Sequence, residues 1–96
     1  MASIIAELKC DQVLEGHDDK VWGLSWSHDG KLLASCSSDQ TIRMWGKKAT
    51  EDAFECKTVL DGGHSRTIRA LTWKPHTAPG QLALASAGFD AQACVW

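Results

Sequence analysis

The chain has 96 residues, of which 44% are hydrophobic and 23% charged, with a formal net charge of -2. A domain of this size buries only roughly 60% of the surface its unfolded chain exposes, so its apolar faces need cover. The slightly acidic balance argues against a dedicated nucleic-acid surface, which needs an excess of Lys and Arg. No apolar run reaches the ~18 residues of a membrane helix. Residues 1–5 lack the basic start and long apolar stretch of a signal peptide. A cytoplasmic or nuclear protein is therefore expected. The four cysteines, Cys10, Cys36, Cys56 and Cys94, show no CxxC spacing and read as free thiols.

In chain order, apolar-rich runs of five to seven residues alternate with turn signals, and strands are predicted at about 8–14, 21–26, 31–36, 41–45, 55–60, 68–73, 82–87 and 92–96. His28-Asp29-Gly30 and Ala78-Pro79-Gly80 mark turns, and the charged stretch from Gly46 to Asp52 reads as a surface loop. No segment keeps a 3.6-residue apolar period long enough for a helix. The predicted fold class is all-β.

These strands fall into an internal repeat. Gly16-His17 aligns with Gly63-His64. Val21, Leu24 and Trp26 align with Ile68, Leu71 and Trp73. Leu33-Ala34-Ser35 aligns with Leu84-Ala85-Ser86, Asp39 with Asp90, and Trp45 with Trp96. Both copies place Asp four residues after Ser and Trp six residues after Asp. Upstream of each Gly-His pair, residues 8–14 (LKCDQVL) align with residues 54–60 (FECKTVL). Trp26 and Trp73 would fill one core position, and Trp45 and Trp96 another.

The pattern Gly-His, Val/Ile, Leu, Trp, Leu-Ala-Ser, Asp, Trp resembles the WD40 repeat over nearly the whole chain. The 51-residue Trp-to-Trp spacing is somewhat longer than the ~40–45 of a typical unit. The resemblance implies a β-propeller fragment of about two four-stranded antiparallel blades, one of them incomplete. Residues 1–15 would carry the outer strand of a closing blade, residues 16–60 the first repeat, and residues 61–96 a second repeat that stops after its third strand. It also implies two hydrogen-bonded tetrads: His17, Ser35, Asp39 and Trp45, and His64, Ser86, Asp90 and Trp96. A buried carboxylate must be paired, and an indole N–H can only donate; a His/Ser/Asp/Trp set satisfies every member.

Ser, His and Asp together invite a catalytic reading. A nucleophile needs exposure and an oxyanion site, whereas these groups occur twice, each time with a Trp, which points to scaffolding and to no enzyme. The cysteines fall at unrelated or blade-equivalent positions, so no metal site and no cofactor are expected. His28 and His76 fall in turns and read as solvated.

Trp22 is matched by Arg69 in the repeat. In WD40 propellers that slot begins the inner strand near the top face, where partners often bind. Trp and Arg are favoured interface anchors. The candidate partner-binding residues are Lys20, Trp22, Ser38, Thr67, Arg69 and Phe89. The competing reading is that Trp22 and Phe89 merely fill gaps between blades.

Residues 63–75 (GHSRTIRALTWKP) and 85–96 (ASAGFDAQACVW) are similar to the first blades of the WD40 scaffold family of cytosolic iron–sulfur protein assembly. That resemblance implies a non-catalytic adaptor that helps insert Fe–S clusters into cytosolic and nuclear apoproteins. It would dock protein partners: the targeting subunits of MIP18 and HEAT-repeat type, and a hydrogenase-like cluster carrier. It implies no nucleic acid, no membrane and no cluster of its own. The alternatives are a generic WD40 interaction scaffold in signalling or chromatin complexes, and direct cluster carriage by the cysteines. The family folds as seven blades, and two repeats fit a C-terminally truncated fragment. Such a fragment would leave an apolar face and strand edges open and is expected to fold poorly or to self-associate.

Overall fold

The computed structural model describes residues 8–75, 78 and 80–96. His76, Thr77 and Pro79, which fall in or beside the second predicted turn, lie outside the described residues. The described residues are all-β, with two antiparallel sheets and no helix. Sheet A has the order β1 (Val21–Trp26), β2 (Leu32–Ser37), β3 (Ile42–Lys47) and β4 (Phe54–Leu60). Sheet B has the order β5 (Ile68–Trp73), β6 (Leu84–Gly88) and β7 (Ala93–Val95).

Each connection follows from local chemistry. Between β1 and β2, Gly30 takes φ 72°, and its N–H donates to the Ser27 carbonyl at 2.9 Å. The Asp29 carboxylate accepts from the Ser27 hydroxyl at 2.6 Å and the Lys31 N–H at 3.0 Å. The turn after β2 needs a left-handed residue and uses Gln40 (φ 72°); its counterpart after β6 uses Ala91 (φ 63°). The loop between β3 and β4 is shorter than the charged stretch suggested, because Gly46 and Lys47 belong to β3.

Two sequence expectations are corrected. Residues 8–14 are not a strand: residues 8–17 form no ladder, and Leu8 and Val13 are exposed. A strand is defined by a partner for its N–H and C=O groups, and among the described residues no strand lies alongside to supply one. Gln12 alone is tied down, its side-chain amide donating to the Phe54 carbonyl and accepting from the Phe54 N–H, both at 2.8 Å. Trp26 and Trp73 do not share an environment: Trp73 is 5% exposed and Trp26 53%.

The strand register explains that asymmetry. Residues directly opposite one another share a face. Gly23↔Cys36, Ser25↔Ala34, Cys36↔Ile42 and Ala34↔Met44 therefore form one face of sheet A. Leu24↔Ser35, Trp26↔Leu33 and Leu33↔Trp45 form the other. In sheet B, Leu71↔Ser86 and Trp73↔Leu84 repeat that second face. The core joins unlike faces: Ala34, Cys36, Ile42 and Met44 pack against Ile68, Trp73 and Leu84, with Leu71 and Trp96 alongside. The Trp73 indole N–H crosses the joint to the Ser25 carbonyl at 2.9 Å. Gly23 lets the strands approach, since a Cβ there would meet the Cys36 sulfur at 3.1 Å and the Ala70 backbone at 3.8 Å. Among the described residues no sheet is stacked on the second face of sheet A, so Trp26 stays half-exposed, with Phe54 meeting it edge-on at 5.7 Å between ring centroids.

The two-sheet stack measures 48 × 32 × 30 Å with a radius of gyration of 14.8 Å. A 100-residue globular domain has about 13 Å, so this stack is less compact than a closed domain.

Candidate partner-binding edge

Two side-chain networks lock each sheet to the loop that precedes it. In sheet A, His17 Nδ1 lies 2.9 Å from Asp39 Oδ2, and Nε2 lies 2.6 Å from Ser35 Oγ. The Trp45 indole N–H donates to the same Ser35 oxygen at 2.8 Å. An ionised Asp39 only accepts, so the imidazole donates through Nδ1, and the Ser35 hydroxyl donates to Nε2. In sheet B, His64 Nδ1 sits 3.1 Å from both Asp90 oxygens, and Nε2 sits 2.8 Å from Ser86 Oγ. The Trp96 indole donates to Ser86 at 2.9 Å.

Each aspartate also accepts from backbone: Asp39 from Asp18 N–H and Thr41 N–H, both at 3.0 Å, and Asp90 from Ser65 N–H at 2.9 Å and Gln92 N–H at 3.1 Å. Thr41 adds a hydroxyl, 2.6 Å from Asp39, that Gln92 does not match. Burial works to raise the Asp39 carboxyl, but the Thr41 hydroxyl, the Asp18 amide, His17 and the Thr41 amide outweigh it. They hold the carboxyl far below the usual carboxylate range. The same opposition acts at Asp90, where burial is outweighed by His64 and the Ser65 and Gln92 amides, and the pKa is again lowered. The glycine before the second histidine has a packing reason: a Cβ on Gly63 would collide with the Trp96 ring.

These Ser, His and Asp groups are buried in their own hydrogen bonds. Ser35, Ser86, His64 and Trp45 are each 5% exposed or less, and both serine oxygens are already shared between a ring nitrogen and an indole. Of the cysteines, Cys36 is buried and Cys94 partly so, while Cys10 and Cys56 are exposed. Burial raises the Cys36 thiol pKa. Among the described residues, no three metal-ligating side chains gather.

The six residues singled out for partner binding come together along one edge of the stack. Trp22 is an extra residue in β1, opposite no partner: Val21 faces Ser37 and Gly23 faces Cys36. Arg69 is the matching extra residue in β5, between Ile68 facing Gly88 and Ala70 facing Ala87. Such a bulge bends the strand and re-aims its side chain, and here both bulges aim at the same place. The Arg69 guanidinium lies 5.1 Å from the centre of the Trp22 ring, within cation–π range. Phe89 meets Trp22 edge-on, at 6.2 Å between centroids. The Trp22 indole N–H donates to Ser38 Oγ at 2.6 Å.

Lys20 and Thr67 hold the flanks through equivalent backbone bonds, Ser38 N–H to the Lys20 carbonyl and Phe89 N–H to the Thr67 carbonyl, both 2.9 Å. The Lys20 ammonium is exposed, 3.8 Å from Asp19. Trp22 therefore bridges the two sheets and still presents 40% of its surface, beside Phe89 at 52%. Large aromatics left open beside an arginine and a lysine form a surface with both apolar and cationic reach.

Sequence reasoning missed Thr41, whose signal was a hydroxyl residue two positions after the buried aspartate. It also missed the paired bulges, of which the first carried a signal in Gly23, a glycine inside a strand directly after Trp22, and the second carried none.

Comparison with known proteins agrees with this architecture. The WD domain, G-beta repeat model matches residues 8–46 and 54–96. The chain is 46% identical over 92 residues to "Protein CIA1" of Arabidopsis thaliana, covering 88% of this chain and 25% of that protein. It is 45% identical over 85 residues to the "Probable cytosolic iron-sulfur protein assembly protein Ciao1" of Culex quinquefasciatus, covering 88% of this chain and 24% of that protein. With the Yarrowia lipolytica "Probable cytosolic iron-sulfur protein assembly protein 1" the identity is 39% over 85 residues, covering 88% of this chain and 24% of that protein. The chain thus spans about a quarter of the length of the relatives it matches. Two stacked antiparallel sheets, each tied by a His/Ser/Asp/Trp network and both matched by the repeat model, place this chain in the WD40 repeat family.

Proposed function

We propose that this chain supplies docking surface to a non-catalytic scaffold of the cytosolic iron–sulfur protein assembly machinery. The observation that carries the reading is the identity of 45–46% across 88% of the chain to proteins, one of them named for that machinery. The bulged edge of Trp22, Arg69, Phe89, Ser38, Lys20 and Thr67 is the surface we assign to protein partners. Its open aromatics give apolar contact area, and Arg69 and Lys20 give charge selection. The expected partners are the MIP18-type and HEAT-repeat subunits and the hydrogenase-like cluster carrier, acting in the cytoplasm and nucleus. The cysteines take no part as cluster ligands.

A chimera tests this. Residues 8–96 replace the matching quarter of the Arabidopsis relative, and co-purification with the MIP18-type subunit and the cluster carrier is measured. The chimera should capture at least one as the parent does. Trp22→Ala with Arg69→Glu should reduce that capture tenfold or more, with near-UV circular dichroism unchanged. A natively folded chimera that captures neither would overturn the assembly role. Undiminished capture by the double variant would overturn the assignment of this edge.

A further inference from the structure

The loop between β3 and β4 carries chemistry that the docking edge does not use. From the end of β3 it runs Lys47-Lys48-Ala49-Thr50-Glu51-Asp52. Thr50 is the one Ser or Thr in the sequence with Lys or Arg at both the second and the third position before it. Residues 47–52 are all exposed, and the Lys48 N–H donates to the Ala53 carbonyl at 2.8 Å, so residues 49–52 form the tip of a hairpin. Exposed tips of this kind open locally at little cost. The two lysines are held by exposed ion pairs: Lys47 Nζ lies 2.7 Å from Asp52, and Lys48 Nζ 3.4 Å from Glu51. Such pairs contribute little, so both ammonium groups are available to the carboxylates of an approaching enzyme.

A second observation is independent of that spacing. Beside the hairpin lies a hollow of about 550 Å³, where Lys31, Lys47 and Lys57 meet Gly30, Gly46 and Phe54. All of these residues belong to sheet A and its own turns. Gly46 makes room for one of the lysines, since a Cβ there would stand 3.2 Å from the Lys57 side chain. Lys57 is only 3.7 Å paired with Glu55, and Lys31 enters no ion pair among the described residues. Thr50 is three residues from Lys47 and four from Phe54, so the tip stands no further than roughly 10–14 Å from these lining residues.

We propose that Thr50 is a phosphorylation site for a protein kinase that selects basic residues, and that Lys31, Lys47 and Lys57 receive the phosphate. The Thr50 hydroxyl oxygen attacks the γ-phosphorus of magnesium-bound ATP. The new P–O bond forms as the bond to the β,γ-bridging oxygen breaks, ADP leaves, and the hydroxyl proton passes to the catalytic aspartate of the kinase. The phosphate brings close to two negative charges and three acceptor oxygens. It therefore outcompetes the single carboxylates of Asp52 and Glu55 for the lysines, and it ties the β1–β2 turn to the β3–β4 hairpin. The register puts this hairpin beside Leu32, at the other end of the strands from Trp22 and Ser38. The inference thus stands with or without the docking edge and the iron–sulfur role.

The full chain is incubated with magnesium-ATP and the catalytic subunit of the cyclic-AMP-dependent protein kinase, and the modified residue is mapped by mass spectrometry. Thr50 should take up close to one phosphate per chain. Thr50→Val should remove that incorporation and Thr50→Ser should keep it. Lys47→Ala with Lys48→Ala should slow it at least tenfold. Phosphorus NMR then follows the second ionisation of the bound phosphate. It should occur roughly 0.5 pH unit lower in the chain than in a phosphorylated peptide of residues 46–54. Lys31→Ala with Lys57→Ala, both exposed positions, should remove the difference while near-UV circular dichroism stays unchanged. Labelling that spares Thr50, labelling indifferent to Lys47 and Lys48, or a phosphate that titrates as in the free peptide would overturn the proposal.

Discussion

Ser35→Ala removes one oxygen and strands two neighbours. In the native chain Ser35 Oγ is 2.6 Å from His17 Nε2 and 2.8 Å from the Trp45 indole nitrogen. Ser35 is 2% and Trp45 4% exposed, so water does not replace the lost partner. A buried polar group left unsatisfied costs about 1–3 kcal/mol. Two of them give a loss of roughly 2–6 kcal/mol, a large fraction of the 5–15 kcal/mol that holds a typical domain.

Urea denaturation followed by tryptophan emission is the assay, with all variants at one protein concentration because association would add a concentration-dependent term. With a slope near 1–3 kcal/mol/M, the midpoint should fall by roughly 1 M or more. A double-mutant cycle sharpens the test. Trp45→Phe deletes the indole donor, so it should cost about 1 kcal/mol or more less in the Ser35→Ala background than in the native one. A Ser35→Ala loss under about 0.5 kcal/mol, the scale of neutral surface changes, or strictly additive variants, would refute the claim that this hydroxyl satisfies both rings.

Acid should loosen the fold through Asp39 and Asp90. Both folded pKa values lie below the ordinary carboxylate value, so their contribution is present above about pH 4 and is lost as pH falls toward the folded values. Thr41→Val removes the hydroxyl donor to Asp39 and should shift the acid-unfolding midpoint upward, as read by near-UV circular dichroism; an unchanged midpoint would deny Thr41 that role. Ala91 sits at φ 63°, where a left-handed L-residue costs about 1–2 kcal/mol; Ala91→Gly should raise the melting temperature, less the entropy that glycine loses on folding. Gly63→Ala drives a methyl into the Trp96 ring, whereas at Gly16 the nearest obstacle is the tip of Arg43 at 2.8 Å. Gly63→Ala should therefore cost distinctly more in thermal stability than Gly16→Ala, and equal costs would contradict the packing.

Much of this fold was legible because strand periodicity and turn chemistry are local. β1 and β5 fall on the predicted spans, since alternating apolar residues between His/Asp/Gly turns leave little choice. Residues 8–14 carry the same pattern as β4 yet form no strand, because strand formation also needs a neighbour that composition cannot reveal. The fate of Trp26 was hidden for a related reason: its sequence matches Trp73, but burial depends on which face a second sheet covers. The candidate edge was half legible. Repeat alignment marked Trp22 and Arg69 as equivalent and unlike. Their 5.1 Å contact arises only when two bulged strands from successive sheets stack, which is information held by the joint and not by either strand.

Trp22 and Arg69 each occupy a slot that the neighbouring strand does not count. A residue outside the ladder can change its chemistry without disturbing the backbone pairing that keeps the sheet together. One repeat can thus display an indole and the next a guanidinium on the same framework, and recognition can diversify from sheet to sheet while the architecture stays constant.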